Sequence, residues 1–271
     1  MKDMEGKFFL INGEQNPVEE FNENLILQGS TVYEVLRVIK GKPLFYDLHI
    51  DRLHNSAKLV HKKIGINNLL IKEQIKKLIN INHIESGNVK IAFNNGNLYM
   101  FKIKHKFPSD EDYTEGVKAV LFMGERKDPN IKLIDIDFRT RANEKIKEND
   151  AYEAVLVDRN GFITEGSRSN IFMVKDNTLI TAPVSEVLPG ITRSVIIKSA
   201  VNLGMKFREA KVSYKDIANL DGMFISGTSP KILPVKQVDD IILNSAENPQ
   251  ILKLMTEYQR ILEEDIVNFQ L

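Results

Sequence analysis

The sequence lacks cysteine, an excess of either charge and any long apolar run, and each absence excludes a class of function. With no cysteine among 271 residues, the chain has no disulfide, no thiolate nucleophile and no cysteine metal ligand, and a reducing cytoplasm is its expected location. Lys and Arg number 37, as do Asp and Glu, so the formal net charge is zero. This balance argues against nucleic acid as a partner.

Apolar runs are short along the whole chain. None reaches the ~18 consecutive apolar residues of a membrane-spanning helix. The N-terminal run, FFLI, is too short for the core of a signal peptide. We therefore expect no membrane association and no secretion signal.

Nucleotide-binding and metal-binding motifs are missing as well. The chain has no G-x-G-x-x-G after a strand, no G-x-x-x-x-G-K-[ST] and no H-E-x-x-H. The histidines are scattered, and we expect them to be packed or surface side chains rather than metal ligands. They are His49, His54, His61, His83 and His105.

Strand and helix patterns in the first half predict an α+β domain over residues 1–106. It begins with FFLI and an Asn-Gly turn, Tyr33–Ile39 is a strand, and LFY (44–46) is its return strand. Asp47 is placed to be the N-cap of the following helix. VKIAF and LYMFKIK, joined by NNGN, predict a further hairpin.

The second half reads as a larger, β-rich domain. Residues 107–116, FPSDEDYTEG, are polar and aperiodic, and we interpret them as an interdomain linker. Residues 117–271 contain strand patterns with turns at 160–161 and 175–177. A glycine-led helix follows in LPGITRSVIIKSAVNLG, and an amphipathic helix begins at Ile251.

An acid, Glu165, interrupts the alternating apolar stretch NGFITEGSRSNIFMVKDNTLITAP (160–183). The alternation predicts two hairpins with one buried face. An ionised carboxylate on a buried face is costly unless it has a partner. The sequence therefore predicts a cationic partner for Glu165.

Two threonine loops and one arginine are able to bind an anion. GIT (190–192) precedes a helix, whose first N–H groups favour negative charge. GTS (227–229) ends a strand and supplies further donors. Each loop can equally be an ordinary turn or N-cap. Arg52, on a mostly buried helix, can equally form a surface ion pair.

Together these features favour a phosphorylated organic cofactor, and pyridoxal phosphate fits them. Its phosphate is a dianion that needs several donors, and its protonated pyridine nitrogen is a cation that needs a carboxylate. That cation would be the partner of Glu165. The hypothesis also requires a lysine that bonds the cofactor covalently.

Three stretches of the chain resemble the class IV (fold-type IV) pyridoxal-phosphate enzymes. They are VYEVLRVIKGKPLFYDLHIDRLHNSA, YEAVLVDRNGFITEGSRSNIFMVKDNTLITAP with LPGITR, and GTSPKILPV, in the family's order between Phe8 and Asp239. The family includes branched-chain aminotransferases, D-amino-acid aminotransferases and 4-amino-4-deoxychorismate lyases. The resemblance implies a two-domain α+β fold, with a smaller N-terminal α/β domain and a larger, β-rich pseudo-barrel domain that binds the cofactor.

The resemblance also implies roles for individual residues. Arg52 matches the family's phosphate-binding arginine, and Glu165 matches the glutamate that pairs with the pyridine nitrogen. The other phosphate ligands are matched by Thr192, with the amide of Ile191, and by Thr228.

Lys132, in NIKLIDIDF, stands where the family has its cofactor-binding lysine, often as K-x-x-N. Asp135 replaces the asparagine, and Asp137 replaces a tyrosine that some members carry two residues later. Lys132 alternates with apolar neighbours, which allows it to face a dry pocket. The rival lysines are Lys127, Lys145 and Lys147.

Three residues are candidates for binding the substrate. Tyr33 matches an aromatic position that faces the cleft in relatives. Lys90 stands where several relatives have a carboxylate-binding arginine, and a lysine cannot form the same bidentate contact. Arg168 either binds a substrate carboxylate or lies on the surface.

The implied reaction is transamination between an amino acid and a 2-oxo acid, with Lys132 moving the proton and Glu165 keeping the pyridine ring protonated. Two alternatives stay open: an aminodeoxychorismate lyase that releases p-aminobenzoate and pyruvate, and a non-catalytic phosphate-ligand-binding protein. The STVYEVLRV stretch favours the aminotransferase branch. Members of the family form homodimers, so a homodimer is expected, while the amino donor and its L or D stereochemistry are left open.

Overall fold

Antiparallel hairpins build the sheet of the N-terminal part. The computed structural model describes residues 4–27 and 29–269 of the chain. The strands of this sheet are β1 Met4–Ile11, β2 Glu14–Pro17, β3 Val32–Ile39, β4 Lys42–Pro43, β5 Ser86–Asn94 and β6 Asn97–Ile103. They lie in the order β2-β1-β6-β5-β3-β4. The predicted first turn is present, with a φ of 51° at Asn12 and 87° at Gly13, a conformation that asparagine and glycine tolerate.

The helices of this part are α1 Asn24–Leu27, α2 Tyr46–Leu59 and α3 Asn68–Ile81. The alternation along β3 turns Val32, Leu36 and Val38 into a core that includes Ile50 of α2. Burying each such side chain contributes about 1.5–3 kcal/mol. The remaining residue on this buried face of β3 is a charged one, Glu34.

Two local predictions at the start of α2 are wrong. The helix begins at Tyr46, so LFY is not a return strand, and the N-cap is Phe45 rather than Asp47, which lies in the first turn. Phe45 has a left-handed φ of 49° and makes no side-chain capping bond. Its N–H donates instead to the Asp265 carboxylate at 2.7 Å. A residue distant in sequence therefore satisfies this N–H group, and a local capping pattern could not reveal it.

The C-terminal part contains the other strands and helices. They are α4 Asp110–Glu115, β7 Val117–Met123, α5 Ile136–Glu148, β8 Glu153–Val157, β9 Phe162–Gly166, β10 Asn170–Lys175, β11 Thr178–Thr181, α6 Ile191–Asn202, β12 Lys206–Glu209, β13 Val212–Ser213, β14 Gly222–Gly227, β15 Lys231–Val238, β16 Ile241–Ile242 and α7 Pro249–Asn268. The predicted turn in KDN joins β10 to β11, with positive φ at Asp176 and Asn177.

Six of these strands close a barrel, in the order β10-β14-β15-β7-β8-β9, and β9 returns to β10. The closing pair is Glu165 of β9 opposite Asn170 of β10. The neighbours β15–β7 and β7–β8 are parallel, and α5 lies between β7 and β8 in the chain, whereas the other pairs are antiparallel. The predicted β-rich pseudo-barrel is thus confirmed.

The chain divides into two compact units. The first contains Met1–Lys106, Ile131–Ile134 and Leu262–Leu271, and the second contains Phe107–Asn130 and Asp135–Ile261. The short segments Ile131–Ile134 and Leu262–Leu271 thus belong to the first unit, although they follow residue 107 in the chain. Residues 107–116, predicted to be a linker, lie in the second unit and include α4, whose N-terminus Ser109 caps.

Candidate active site

In the first unit, α2 carries His49 and Arg52 one turn apart, so both side chains reach Glu34 on β3. Arg52 donates from Nε to Oε1 of Glu34 at 2.6 Å and from Nη2 to Oε2 at 2.7 Å. Nδ1 of His49 lies 2.7 Å from the same Oε2. Arg52 is 8% exposed and Glu34 is fully buried, so the ion pair of Arg52 is a buried one rather than the surface pair considered above.

The charges of this cluster are set by opposing effects. Burial raises the pKa of the Glu34 carboxyl, but the charge and hydrogen bonds of Arg52, with the hydrogen bond of His49, outweigh burial and hold that pKa far below its ordinary value. Burial lowers the pKa of His49, although Glu34 opposes the shift. His49 is therefore neutral at neutral pH, and since an ionised carboxylate only accepts, its Nδ1–H donates to Glu34.

Lys132 lies in the segment Ile131–Ile134, which is anchored along β3. The carbonyl of Lys132 accepts from the N–H of Tyr33 at 3.0 Å, and Leu133 forms a β-bridge with Val32. The Lys132 side chain is half-buried, and its Nζ lies 4.9 Å from the centre of the Tyr33 ring. The main chain thus fixes the position from which this amine projects.

The rival lysines differ from Lys132 in exposure. Lys127 and Lys147 are exposed, while Lys145 is half-buried. Asp135, which stands in place of the family's asparagine, is exposed and is the N-cap of α5, because its Oδ1 accepts from the N–H of Phe138 at 3.0 Å. This aspartate therefore has a structural role that the sequence left open.

Tyr33 and Lys90 lie side by side in the first unit. The two residues are on the neighbouring strands β3 and β5, and Nζ of Lys90 lies 4.7 Å from the centre of the Tyr33 ring. Two ammonium groups, those of Lys90 and Lys132, therefore lie within cation–π distance of one aromatic ring. Such a cationic surface suits a carboxylate.

In the second unit, Glu165 lies near the end of β9 and is 3% exposed, so its predicted burial is confirmed. Its Oε2 accepts from the N–H of Leu188 at 3.0 Å, and its Oε1 lies 3.3 Å from Nη1 of Arg126. The cation that faces Glu165 within the protein is therefore Arg126. Sequence reasoning missed it, because no local pattern relates the two residues.

The turn after Glu165 explains the glycine that follows it. A side chain at Gly166 would place a Cβ 2.1 Å from Oγ of Ser169 and 3.1 Å from the carboxyl carbon of Glu153. Glu153 is buried and accepts from Oγ of Ser167 at 2.6 Å and from Oγ of Ser169 at 2.9 Å. The two serines of EGSRSN thus fold the turn around a buried carboxylate.

Helix α6 presents its N-terminus at the GIT loop. Gly190 is the N-cap and provides no side chain, and Ile191 and Thr192 form the first turn, both buried. A Cβ at Gly190 would lie 2.0 Å from Oδ1 of Asn170, so a larger residue there would displace the buried Asn170 side chain. Since Gly190 has no side chain to cap the first N–H groups of α6, they are suited to an anionic group.

The GTS loop is the turn between β14 and β15. Thr228 is half-buried in this turn, and Ser226, two residues earlier, is fully buried. The hydroxyl of Ser226 has no hydrogen-bond partner within the described residues. An unsatisfied buried hydroxyl is costly, and its position beside the loop indicates that the loop is built to receive a polar group.

Arg168 is exposed and donates from Nη2 to Oδ1 of Asn143 on α5 at 2.9 Å. This bond agrees with the surface interpretation of Arg168. A role in binding substrate stays a prediction.

The groups of each unit fit the chemistry of pyridoxal phosphate. The first unit offers a half-buried amine on Lys132 and a buried guanidinium on Arg52. The second offers the buried carboxylate of Glu165, the start of α6, and the orphaned hydroxyl of Ser226. These are the donors and acceptors that an aldehyde, a pyridinium nitrogen and a phosphate require.

The described residues contain neither a candidate metal site nor a membrane-spanning helix. Across residues 4–27 and 29–269, no three His, Asp or Glu side chains are grouped as a metal site requires. No helix in that part of the chain combines the length and apolarity needed to cross a membrane.

Comparison with known families gives the class. The profile described as amino-transferase class IV matches residues 31–238. The chain therefore belongs to the class IV aminotransferases, and it is a pyridoxal-phosphate-dependent enzyme that transfers an amino group between an amino acid and a 2-oxo acid.

Individual relatives carry two kinds of name. D-alanine aminotransferase of Listeria monocytogenes is 31% identical, across 85% of this chain and 86% of its own. The enzyme of the same name from Bacillus licheniformis is 28% identical, across 85% and 87%. The structure of Escherichia coli branched-chain amino acid aminotransferase is similar with a TM-score of 0.84 at 25% identity, over 95% of both chains.

One solved structure bears on the lyase alternative. A Legionella pneumophila protein provisionally named 4-amino-4-deoxychorismate lyase is similar with a TM-score of 0.77 at 22% identity, over 88% of this chain and 91% of its own. At this identity the likeness concerns the fold alone.

Proposed function

We propose that the cofactor is held by one amine, one carboxylate and a set of phosphate donors. The amine is that of Lys132, which bonds covalently to the cofactor aldehyde, and the carboxylate is that of Glu165, which pairs with the pyridine nitrogen. The proposed phosphate donors are Arg52, the N–H of Ile191, Thr192 and Thr228.

The observation that carries the proposal is the setting of Lys132. Its main chain is bonded to Tyr33, its ammonium lies 4.9 Å from the Tyr33 ring, and it is half-buried. A half-buried amine whose main chain is held in one place is suited to bond the aldehyde of a cofactor. The exposed rivals, Lys127 and Lys147, have no such setting.

Each residue has a distinct task in the proposed mechanism. The bound cofactor supplies an electron sink for the carbanion that forms when the substrate loses its Cα proton. Nζ of Lys132, released when the substrate amine takes its place on the cofactor, would remove that proton. Glu165 holds the proton on the ring nitrogen, and Arg52 fixes the phosphate by a charge-assisted contact.

The substrate is proposed to bind beside the cofactor lysine. Tyr33 and Lys90 form a cationic aromatic surface that binds a carboxylate of the amino acid or 2-oxo acid. Because the Lys90 ammonium is a point charge rather than a planar guanidinium, we expect looser selection of carboxylate geometry than an arginine would give. Arg168, at the exposed turn after Glu165, is proposed as a secondary carboxylate contact.

Covalent trapping tests the assignment of Lys132. Purified protein is loaded with pyridoxal phosphate, reduced with borohydride and mapped by peptide mass spectrometry. We expect the label on Lys132, its loss in Lys132→Ala, and no change in the matched exposed control Lys127→Ala. A label on Lys127, Lys145 or Lys147 would contradict the assignment, and no label on any lysine would favour a non-catalytic binding protein.

Replacement of one carboxylate tests the role of Glu165. Glu165→Gln keeps the volume, but a neutral amide does not hold the ring nitrogen protonated. We expect turnover to fall on the order of 100-fold, or about 2.7 kcal/mol of barrier, while cofactor content stays close to that of the wild type. Near-normal turnover in this variant would show that Glu165 faces another group.

We propose a D-amino acid or a branched-chain amino acid as the amino donor, supported by the names of the relatives. Under single-turnover conditions, a true donor converts the bound cofactor from its pyridoxal form to its pyridoxamine form, and a 2-oxo acid restores it. A panel of D-alanine, L-leucine and L-valine separates the two classes. Release of p-aminobenzoate and pyruvate from aminodeoxychorismate, with no response to any amino acid, would establish the lyase instead.

We propose in addition that the enzyme is a homodimer in the cytoplasm. The homodimer is supported by the resemblance to class IV enzymes, and the location by the absence of cysteine. Light scattering coupled to gel filtration measures the mass of the assembly, and a monomeric mass would contradict the first part. Fractionation of the source cells tests the second.

A further inference from the structure

We propose that Glu34 and His49 are positioning residues, which hold the guanidinium of Arg52 in the orientation that phosphate binding requires. This inference rests on the proposed function, in which Arg52 contacts the cofactor phosphate. Neither Glu34 nor His49 is assigned a contact with cofactor or substrate.

The geometry of the contact fixes the guanidinium in its plane. Glu34 engages one edge of Arg52, with Nε at 2.6 Å from Oε1 and Nη2 at 2.7 Å from Oε2. Two parallel bonds allow one orientation of a planar group, whereas a single bond allows rotation about it. Because Nε and Nη2 form that edge, Nη1 of Arg52 projects away from Glu34 in a fixed direction.

His49 in turn fixes the carboxylate. Its Nδ1–H donates to Oε2 at 2.7 Å, so both oxygens of Glu34 are held and the carboxylate plane is set. The charged groups around His49 are Glu34 on β3, Arg52 on its own helix and Lys132 on the segment beside β3. The side chains of His49 and Glu34 are almost fully buried, 2% and 0% exposed, so water does not compete for these bonds.

The fold alone does not require this arrangement. The other residues on the same face of β3 are Val32, Leu36 and Val38, all buried. Replacing a buried ion pair by apolar residues of similar volume is often neutral or stabilising. The presence of an acid on this face of β3 is therefore explained by the orientation of Arg52 rather than by stabilisation of the core.

Binding of two ligands that differ only in the phosphate tests the inference. The apo forms of the wild type, Glu34→Gln and a matched control, Glu5→Gln, are titrated with pyridoxal phosphate and with pyridoxal by equilibrium dialysis. Glu5 is also an ion-paired acid of the first unit, bonded to Lys102, but it is partly exposed. We expect Glu34→Gln to weaken binding of pyridoxal phosphate about tenfold or more and to leave pyridoxal unchanged, while Glu5→Gln changes neither.

A second pair of variants protects the test against misfolding of Glu34→Gln. His49→Leu removes the donor to Glu34 without leaving a charge unpaired, and His49→Asn restores a donor near the position of Nδ1. We expect a loss of severalfold in affinity for pyridoxal phosphate in His49→Leu and its recovery in His49→Asn. Thermal unfolding of each apo variant separates a general loss of structure from a loss of phosphate recognition.

The outcomes separate this inference from the proposed function. If the wild type prefers pyridoxal phosphate over pyridoxal and the variants at positions 34 and 49 keep that preference, the positioning role of Glu34 and His49 is overturned. The proposed phosphate contact of Arg52 then stands. Equal losses for both ligands also overturn it, because they show a merely structural role. If the wild type shows no preference at all, the phosphate role of Arg52 in the proposed function fails as well.

Discussion

Two buried carboxylates, Glu34 in the first unit and Glu153 in the second, are stabilised in opposite ways. Glu34 is held by a guanidinium and an imidazole. Glu153 is held by neutral donors, the hydroxyls of Ser167 and Ser169 and the main-chain N–H groups of Ala154 and Ser167.

The difference follows from what each carboxylate holds in place. Glu34 orients one charged side chain, Arg52, so removal of its charge breaks a buried ion pair. Glu153 shapes a stretch of main chain, the turn that follows Glu165, so its four acceptor contacts are spread over short polar groups. We therefore expect the stability of the protein to depend on the charge of Glu34, which is paired with a cation, and on the shape of Glu153, which is bonded to neutral donors.

The largest effect is expected from Glu34→Ala. It removes the carboxylate from a buried ion pair, which costs about 3–5 kcal/mol. Urea unfolding followed by circular dichroism measures the change, since the chain has no tryptophan to report by fluorescence. The double variant Glu34→Leu, Arg52→Met is the control and should lie much closer to the wild type. A loss below about 1 kcal/mol in the single variant, the scale of an exposed ion pair, would contradict the buried ion pair.

A smaller effect is expected from Glu153→Gln. The amide keeps the volume and one acceptor oxygen, and a serine hydroxyl can rotate to meet the new NH₂ group, so we expect a loss of about 1–2 kcal/mol. The same urea titration applies. A loss as large as that of Glu34→Ala would remove the distinction between the two carboxylates. An intact turn in the variant Glu153→Ala would remove it as well.

The pH dependence of stability sharpens the comparison further. The pKa of His49 is lowered from 6.5 in the folded protein, so below that pH the unfolded chain binds a proton that the folded one does not. The free energy of unfolding therefore falls as pH decreases through this range, by at most about 1.4 kcal/mol per pH unit. The lowered pKa of Glu34 acts in the same direction below its ordinary value of 4.5.

His49→Asn isolates the histidine contribution. The difference in unfolding free energy between wild type and this variant is measured at intervals between about pH 7.5 and 5.5, around the ordinary histidine pKa. We expect the wild type to lose stability relative to the variant as pH falls. A difference that does not change with pH would mean that His49 titrates alike in the folded and unfolded chains.

The smallest effect is expected at a partly exposed ion pair, Glu5–Lys102, whose atoms are 3.0 Å apart. Water screens this pair, so Glu5→Gln should change the free energy of unfolding by no more than about 0.5 kcal/mol. The change should shrink further at high salt. A larger, salt-independent loss would show that distance rather than burial decides the strength of these pairs.

Sequence reasoning succeeds where the determining contacts are local. The Asn-Gly turn after β1, the KDN turn after β10 and the helix after Gly190 were all readable, because their residue types favour one backbone conformation. The roles of Lys132 and Arg52 came from matching motifs and stay predictions. The burial of Glu165 follows from the alternation of its apolar neighbours.

Sequence reasoning fails where a contact joins residues that are far apart in the chain. Arg126 and Glu165 are 39 residues apart, and Glu34 and Arg52 are 18 apart on different elements. The cap of α2 was misassigned for the same reason, since the N–H of Phe45 bonds to Asp265, 220 residues away. The two parallel pairings of the barrel likewise depend on which strands meet in space.

The closure of the barrel has a consequence for how the enzyme fluctuates. Strands β9 and β10 meet at one pair, Glu165 and Asn170, and each of these residues also has a side-chain task, since Asn170 bonds to the carbonyl of Leu188 at 2.9 Å. Any opening that separates the two strands therefore displaces the proposed pyridine partner at the same moment. Amide hydrogen exchange at the contact between β9 and β10 should slow when pyridoxal phosphate binds. A ligand held by Glu165 stabilises the closed barrel relative to every open state.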